Sequence, residues 1–289
     1  MHKFKNLTKP FCDDEFDIFQ RGISDDPTID VYINQQKDFA LLYPVPSVDY
    51  NYYIPRAKKF GLTAYKKSFH IEKRFHKIEH HLQNDHHSLI EIGAGDGTFL
   101  KIVKKYLPHL HVTAVDKDQN TMQSRVQHSD ENYDSLEQLM GKSIYFDIIC
   151  LFHVLEHILT PSDFLSKIHG LMLDHSLLII EVPSLYDPLL SLFNNEAFSK
   201  FYFSSQHPYV YSPSSLQRLM EYSGFQTIEV LNFQRYGLEN HLNWLSRAKP
   251  GGCRQYQRIF GNLDSEYIAA LEQHGKTDTV IWIGKKGDK

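Results

Sequence analysis

Apolar and polar positions follow two different patterns through the middle of this chain. Short apolar runs, several of them rich in β-branched side chains, are typical of buried strands. Such runs lie at residues 88–92, 111–115, 145–152, 176–183, 226–234 and 279–284. The segments between them have apolar residues spaced as on one face of a helix. Strands that alternate with helices predict a parallel, doubly wound sheet.

Helices are predicted from spacing, capping residues and prolines. In residues 62–82 the apolar positions recur mostly three or four residues apart, which predicts one amphipathic helix. A second helix is predicted over 97–106, ended by Pro108. A third is predicted within 212–224, where a Ser-Pro pair begins the helix and glycine ends it.

The two ends of the chain depart from this alternation. Residues 1–60 show little periodicity and contain several prolines, so we expect an irregular N-terminal arm with one short helix near Glu15–Gln20. Residues 61–289 form the predicted main domain, in which 235–275 is an insertion, or lid, before the last strand. The third strand is hard to place, because the stretch Gln127–Glu137 is strongly polar.

Bulk composition narrows the function classes. The 289 residues include 31 Lys and Arg against 35 Asp and Glu, and the formal charge of −4 argues against nucleic acid or an anionic membrane as a partner. Three widely spaced cysteines indicate neither a disulfide framework nor a cysteine zinc site. No apolar run is long enough to span a membrane and the first residues lack a signal-peptide core, so we expect a cytoplasmic protein.

A glycine cluster at 93–97 follows the apolar run 88–92 directly. Its three glycines let the backbone turn sharply and approach a ligand closely. A dinucleotide fingerprint would need G-x-G-x-x-G, but Thr98 stands where the third glycine belongs. Glu91 and Asp96 place negative charge beside the turn, which favours a cationic ligand over a pyrophosphate.

Four features occur in the order found in one enzyme family. The glycine turn reads E-x-G-x-G-x-G, a strand ends at Asp116, the run 145–152 continues as F-D-I-I-C-L-F-H-V-L-E-H, and the run 176–183 ends in E-V-P. Together they resemble class I S-adenosylmethionine (SAM)-dependent methyltransferases. The resemblance implies a Rossmann-like α/β fold with a seven-stranded, mostly parallel sheet and helices on both faces. SAM is then the expected cofactor, and S-adenosylhomocysteine its product.

The resemblance also implies cofactor contacts. Glu91 would anchor the methionine ammonium, and Asp116 would hold the ribose hydroxyls, although a turn aspartate that caps the next helix also explains Asp116. Asp130, Asp134 and Glu137 compete for the adenine contact. The predicted cofactor residues are Glu91, Gly93, Ala94, Gly95, Asp96, Asp116, Lys117, Asp134, Phe152 and His153.

The segment His153-Val-Leu-Glu-His157 offers a competing chemistry. It matches H-x-x-E-H, a zinc-ligand signature of metalloproteases. That signature requires a continuous helix, whereas His153 follows an apolar strand inside a strand–helix alternation. We therefore expect no metal site here and treat a zinc protease as a remote alternative.

Histidine suits the removal of a proton from an acceptor near neutral pH. The block that begins at His207, H-x-Y-x-Y-S-P, resembles a block in methyltransferases of small metabolites and sugars, where the histidine and the aromatic residues face the substrate. His207 is therefore the first candidate for a general base, and His153 is the second. A purely structural role in fixing the loop explains His207 equally well.

Aromatic, amide and basic side chains cluster near the sheet edge where ligands bind in open α/β folds. The predicted substrate contacts are Tyr53, Tyr209, Tyr211, Arg235, Asn240 and His241. These residue types suit a small-molecule acceptor such as a sugar or nucleotide sugar. A structural lid or a homodimer contact explains the residues of the insertion as well. A macromolecular acceptor and a non-catalytic SAM-binding protein are the alternative functions.

Overall fold

A computed structural model describes residues 15–47, 64–82 and 85–287 of the chain, without the side chains of 64–68. Within these residues the strands are β1 Phe16–Gln20, β2 Asp30–Asn34, β3 Phe39–Tyr43, β4 Ser88–Ile92, β5 His111–Val115, β6 Glu131–Tyr133, β7 Phe146–Phe152, β8 Met172–Pro183, β9 Tyr209–Tyr211, β10 Phe225–Phe233 and β11 Thr279–Lys286. The helices are α1 Ala64–Ile78, α2 Thr98–Tyr106, α3 Met122–Arg125, α4 Pro161–His169, α5 Pro188–Ser191, α6 Glu196–Tyr202, α7 Pro213–Tyr222, α8 Leu238–Arg247, α9 Arg254–Phe260 and α10 Asp264–Gln273. Short 3₁₀ turns lie at Glu79–His81, Leu136–Gln138, Leu155–His157 and Gly261–Leu263.

The predicted seven-stranded, mostly parallel sheet is confirmed. Its strand order is β10-β11-β8-β7-β4-β5-β6, and only β11 runs antiparallel to its two neighbours. The central strand β7 is buried at every residue. Its alternate side chains enter two core clusters, with Ile149 and Leu151 in one and Ile148 and Cys150 in the other. Both faces of the sheet are therefore covered, as a parallel sheet requires.

The weak third strand is β6, at one edge of this sheet. Only three of its residues pair, and they pair with β5 alone. A strand that short, with a partner on one side, needs no continuous apolar run. This explains why the polar stretch Gln127–Glu137 concealed it.

The helix expected near Glu15–Gln20 is wrong, and the described residues 15–47 are not simply an irregular arm. Residues 16–20 form β1, which pairs with β2, and a second antiparallel sheet has the order β1-β2-β3-β9. The strand β3 pairs with β9, so Phe39 lies opposite Tyr211. A partner so distant along the chain leaves no local signal, and this pairing stabilises the extended conformation.

The second sheet is attached to the carboxyl edge of the first. A parallel bridge joins Ser184, just after β8, to Tyr211, and the backbone N–H of Leu185 donates to the Tyr211 carbonyl at 2.8 Å. Asp38, between β2 and β3, is buried and accepts from both terminal nitrogens of Arg218 on α7, at 2.7 and 3.0 Å. The second sheet is thus fixed beside the strand ends where ligands bind in open α/β folds.

The predicted insertion before the last strand consists of α8, α9 and α10. The Ser-Pro start predicted for a helix is confirmed at α7, where Ser212 and Ser215 form a reciprocal capping box. Within the described residues, no helix combines the length and the apolarity needed to cross a bilayer.

Candidate active site

The glycine turn at the end of β4 is strained backbone that only glycine adopts easily. Gly93, Gly95 and Gly97 have φ angles of 79°, 53° and 77°. A Cβ on Gly93 would lie 2.4 Å from Cγ2 of Val154, whereas a Cβ on Gly95 would meet no atom within 4 Å. Gly93 is therefore required by packing. Gly95 faces open space, where a ligand can approach the backbone.

Asp116 fixes this turn from the neighbouring strand. One carboxylate oxygen accepts from the Gly95 N–H at 2.7 Å, and the other accepts from the Asp118 N–H at 2.7 Å. Asp134 follows the adjacent strand β6 and is exposed, where it accepts from Gln119 at 2.8 Å. The two acids thus stand at neighbouring strand ends, and Asp116 also has a structural role. Their contacts with ribose and adenine stay predictions.

The other predicted cofactor residues border the same turn. Glu91 and Ala94 are buried on either side of Gly93, and Lys117 is exposed after Asp116. Asp96 accepts from the hydroxyl and the backbone N–H of Thr98, at 2.6 and 3.2 Å. Phe152 is buried at the end of β7.

These residues fit SAM on two grounds. The open face of Gly95 lets an extended ligand lie against the backbone without displacing a side chain. Asp116 holds the Gly95 N–H, and Glu91 lies two residues before Gly93 on β4; two carboxylates suit a ligand that carries an ammonium, a sulfonium and a ribose. Glu91 is 4% exposed, so a cationic group beside it would be partly desolvated.

A buried ion pair lies next to this region. Arg74 of α1 makes a two-pronged contact with Glu181 at the end of β8, and its Nη2 lies 2.7 Å from Oε1. Its guanidinium also covers the Phe152 ring, 4.4 Å from the centroid. Burial acts to raise the pKa of Glu181, but the charge and hydrogen bonds of Arg74 outweigh it and hold that pKa well below its usual range.

His153 joins this pair to one further acid, Glu156, and to Arg235. Its Nδ1 lies 3.1 Å from Oε1 of Glu156 and its Nε2 lies 2.9 Å from Oε1 of Glu181. The same Nε2 lies 2.8 Å from Nη1 of Arg235. Arg235 also donates to Asp278 through its Nε. A protonated Nε2 donates to Glu181, whereas a neutral one accepts from Arg235. Burial and Arg235 act to lower the pKa of His153, but the bonds to the two glutamates outweigh them and raise it.

Three histidines surround the Glu156 carboxylate, which is 1% exposed. His153 bonds to it, and one donor atom of each of His157 and His207 lies within 4.8 Å of a Glu156 oxygen. The rings of His157 and His207 are 4.9 Å apart. Burial acts to raise the pKa of Glu156, but the His153 bond and the nearby histidine charges lower it to about 2. The structure therefore brings both predicted base candidates to one buried carboxylate.

Sequence reasoning missed four charged residues of this region: Arg74, Glu156, Glu181 and Asp278. Two of them lie in the motifs of the methyltransferase resemblance: Glu156 is the acid of H-V-L-E-H and Glu181 is the acid of E-V-P. Charged side chains in or beside apolar strands were the available signal, because such residues are buried only when they are paired.

The predicted substrate residues do not form one surface. Tyr209 and Tyr211 lie in the core, because every residue of β9 is buried where that strand pairs with β3. Tyr209 stacks on the Phe39 ring, and Tyr211 packs against the same ring at a tilt. His241 is also buried and lies 2.6 Å from the Tyr267 hydroxyl. Asn240 binds the Gly251 carbonyl within the insertion. Of the predicted substrate residues that the structure describes, only Arg235 contacts the charged cluster, which consists of Arg74, His153, Glu156, Glu181 and Asp278. Tyr53 lies outside the described residues.

The H-x-x-E-H segment does not form a helix with two histidines on one face. His153 has a φ of 57°, in the left-handed region, and only residues 155–157 form a single 3₁₀ turn. His153 and His157 therefore cannot act as the helical zinc pair of that signature.

Comparison with known proteins agrees with this geometry. A family model described as a methyltransferase domain matches residues 67–230, more than half of the chain. The chain therefore belongs to the methyltransferase-domain family. It is a class I SAM-dependent methyltransferase, and SAM is its cofactor.

Several solved structures share the fold at low sequence identity. A SAM-dependent methyltransferase from Archaeoglobus fulgidus is 20% identical, with a TM-score of 0.55 over 82% of this chain and 100% of that one. A SAM-dependent methyltransferase from Thermotoga maritima, described as a possible histamine N-methyltransferase, is 15% identical, with a TM-score of 0.53 over 82% and 97%. The plantazolicin methyltransferase BamL, solved with a substrate analog and SAH, is 16% identical, with a TM-score of 0.52 over 81% and 92%. None of the curated proteins matches this chain.

Proposed function

We propose that this enzyme transfers the methyl group of SAM to a small-molecule acceptor whose reacting atom binds beside Glu156 and His207. The observation that carries the proposal is the position of that pair. Glu156 follows β7 and the glycine turn follows β4, so both lie at the carboxyl ends of neighbouring strands, and a ring nitrogen of His207 lies within 4.8 Å of a Glu156 oxygen. Cofactor and acceptor would then meet at one edge of the sheet.

The depth of the cluster favours a small acceptor. Glu156 is 1% exposed and Glu181 is fully buried, beneath side chains contributed by α1 and by the segments before β9 and after β10. Only a group that can enter a narrow space reaches such carboxylates. A sugar or nucleotide sugar, rich in hydroxyl groups, suits the acids and histidines gathered there.

The residues around Glu156 and the glycine turn have different roles in the proposed reaction. Both ring nitrogens of His153 have charged neighbours, so His153 acts as a positioning residue that holds Glu156. His207, which has a ring nitrogen within 4.8 Å of a Glu156 oxygen, contacts the acceptor. Glu91 and Asp116 orient the cofactor, and SAM supplies an activated methyl group. Fixing two reactants in line can lower the barrier by roughly 7–11 kcal/mol.

The test is a thermal-shift screen of the purified chain with S-adenosylhomocysteine and sugars, nucleotide sugars, small amines and peptides, followed by mass spectrometry of each positive compound with SAM. A true acceptor adds to the stabilisation given by S-adenosylhomocysteine and becomes methylated. If only a peptide or protein is methylated, the small-molecule assignment is wrong, while the methyltransferase assignment stands.

A further inference from the structure

Three metal-ligating side chains converge behind the acceptor position. Glu156, His157 and His207 each offer one donor atom, and these atoms all lie within 4.8 Å of one another. Glu156 and His157 come from the turn after β7, and His207 comes from the loop before β9. Two imidazoles and a carboxylate are a ligand set that Zn²⁺ and similar divalent ions accept, at about 2.0–2.2 Å per bond. Ligand atoms on one tetrahedral ion lie about 3.4 Å apart, so the three side chains would have to move closer together around it.

The Glu156 carboxylate gives an independent reason to expect a cation. Its Oε1 bonds to His153, but its Oε2 is buried and accepts no hydrogen bond from any residue that the structure describes. Buried polar atoms almost always have a partner, and a buried charge without one is costly. A cation bound to Oε2 would remove that cost.

His157 is oriented as metal-binding histidines are. Its Nδ1 lies 2.6 Å from the backbone carbonyl oxygen of Gln206, so this nitrogen carries the proton that it donates, and the lone pair is on Nε2. Histidine ligands commonly donate their other ring N–H to a carbonyl or carboxylate, which fixes the ring and raises its basicity. Gln206 is buried and precedes His207, so the same bond holds the two ligand segments together.

A second group of possible ligands, His80, His81 and Glu229, lacks these features. His80 is exposed, and Oε2 of Glu229 already has both imidazoles within 3.2 and 2.7 Å. The group lies on the surface beside α1, away from the strand ends. It provides a matched control for non-specific binding.

We propose that Glu156, Nε2 of His157 and His207 bind one divalent transition-metal ion, with Zn²⁺ as the first candidate. The site differs from the H-x-x-E-H pair, because His207 replaces His153 as the second imidazole. The inference rests on the proposed function in one respect: an ion here would face the acceptor. Its charge would favour loss of a hydroxyl proton to solvent before the oxygen bonds to the methyl carbon and the C–S electron pair returns to sulfur. The acceptor class is then an alcohol, and His207 contacts it through the ion.

Metal binding can be measured on the full chain after treatment with a chelator. Calorimetric titration with Zn²⁺, and separately with Mn²⁺, should show one saturable site for at least one of the ions. Glu156→Gln and His207→Ala should each weaken it at least tenfold, while the His80→Ala/His81→Ala double variant keeps it. The proposal is overturned if the wild-type chain binds neither ion, if Glu156→Gln binds as wild type does, or if only the surface double variant loses binding.

Two further measurements keep the result interpretable. Circular dichroism of each variant shows whether it is folded; if Glu156→Gln is not, cobalt-loaded wild-type protein should give paramagnetically shifted imidazole signals from two histidines, and none if the site is absent. SAM titration of the metal-free protein separates the two proposals. Normal methyl transfer by the metal-free protein overturns the role of the ion in the reaction and leaves the proposed function in place, whereas failure to bind SAM with metal present overturns the function.

Discussion

Arg74 on α1 and Glu181 at the end of β8 form an ion pair with both side chains buried, 8% and 0% exposed. The pair connects α1, which precedes the glycine turn, to β8, which follows the segment His153–His157. Through His153, Glu181 is also linked to Arg235 and the insertion. One buried charge thus connects three segments that surround the ligand site.

Removal of Arg74 should destabilise the fold strongly, because the buried charge of Glu181 would lose its two-pronged ion pair and keep only the contact with His153. We expect Arg74→Met to lower the free energy of unfolding by about 3–5 kcal/mol, measured by urea denaturation. Lys105→Met, which removes the exposed pair between Lys105 and Glu72, is the control and should change little. An equal effect of the two substitutions would contradict the role assigned to Arg74.

Substitutions of two glycines in the turn should have different effects: one should disturb packing, and the other should disturb ligand binding. Gly93→Ala places a Cβ 2.4 Å from Val154 and should unfold the turn, seen as a lower melting temperature. Gly95→Ala has only the cost of its positive φ, about 1 kcal/mol, because no atom lies within 4 Å of the new Cβ. It should remain folded and bind SAM at least tenfold more weakly. Wild-type SAM affinity in Gly95→Ala would show that the cofactor does not approach this face.

The main sheet could be predicted from sequence because its information is local. Each parallel strand is a short apolar run, and the glycine turn and Asp116 mark strand ends that must lie side by side in a doubly wound sheet. The second sheet could not be predicted, since β3 finds its partner β9 about 170 residues away. The same pairing buries Tyr209 and Tyr211, whose residue types alone suggested a substrate surface.

The charged cluster could be predicted from the sequence only in part, for a similar reason. His153 and His207 could be chosen from their motifs, but their meeting at Glu156 depends on the loop before β9. Arg74 and Asp278 lie far along the chain from the acceptor motifs, and their burial becomes visible only in three dimensions. Charge pairing across the core has no periodicity that a sequence pattern could reveal.

Stability should fall in mild acid because of His241. Burial lowers the pKa of His241 to about 4, against an ordinary value of 6.5, so the folded protein keeps this ring neutral while the unfolded chain takes up a proton. The contribution of His241 to the free energy of unfolding is constant above about pH 6.5. It decreases by roughly 3 kcal/mol in total as the pH falls from there to about 4. His241→Asn should show a smaller decrease over that range in urea denaturation. His274→Asn, at an exposed position, should keep the wild-type slope, and equal slopes in all three proteins would refute the assignment.

Calorimetric titration with SAM shows whether SAM binds at the glycine turn with its ribose on Asp116. We predict one site per chain, weakened at least tenfold by Asp116→Ala and unchanged by Asp174→Ala, which lies on an exposed stretch at the other end of β8. Circular dichroism must show that Asp116→Ala is folded, because Asp116 also holds the Gly95 N–H. Folded Asp116→Ala protein that binds SAM as tightly as wild type would contradict the account.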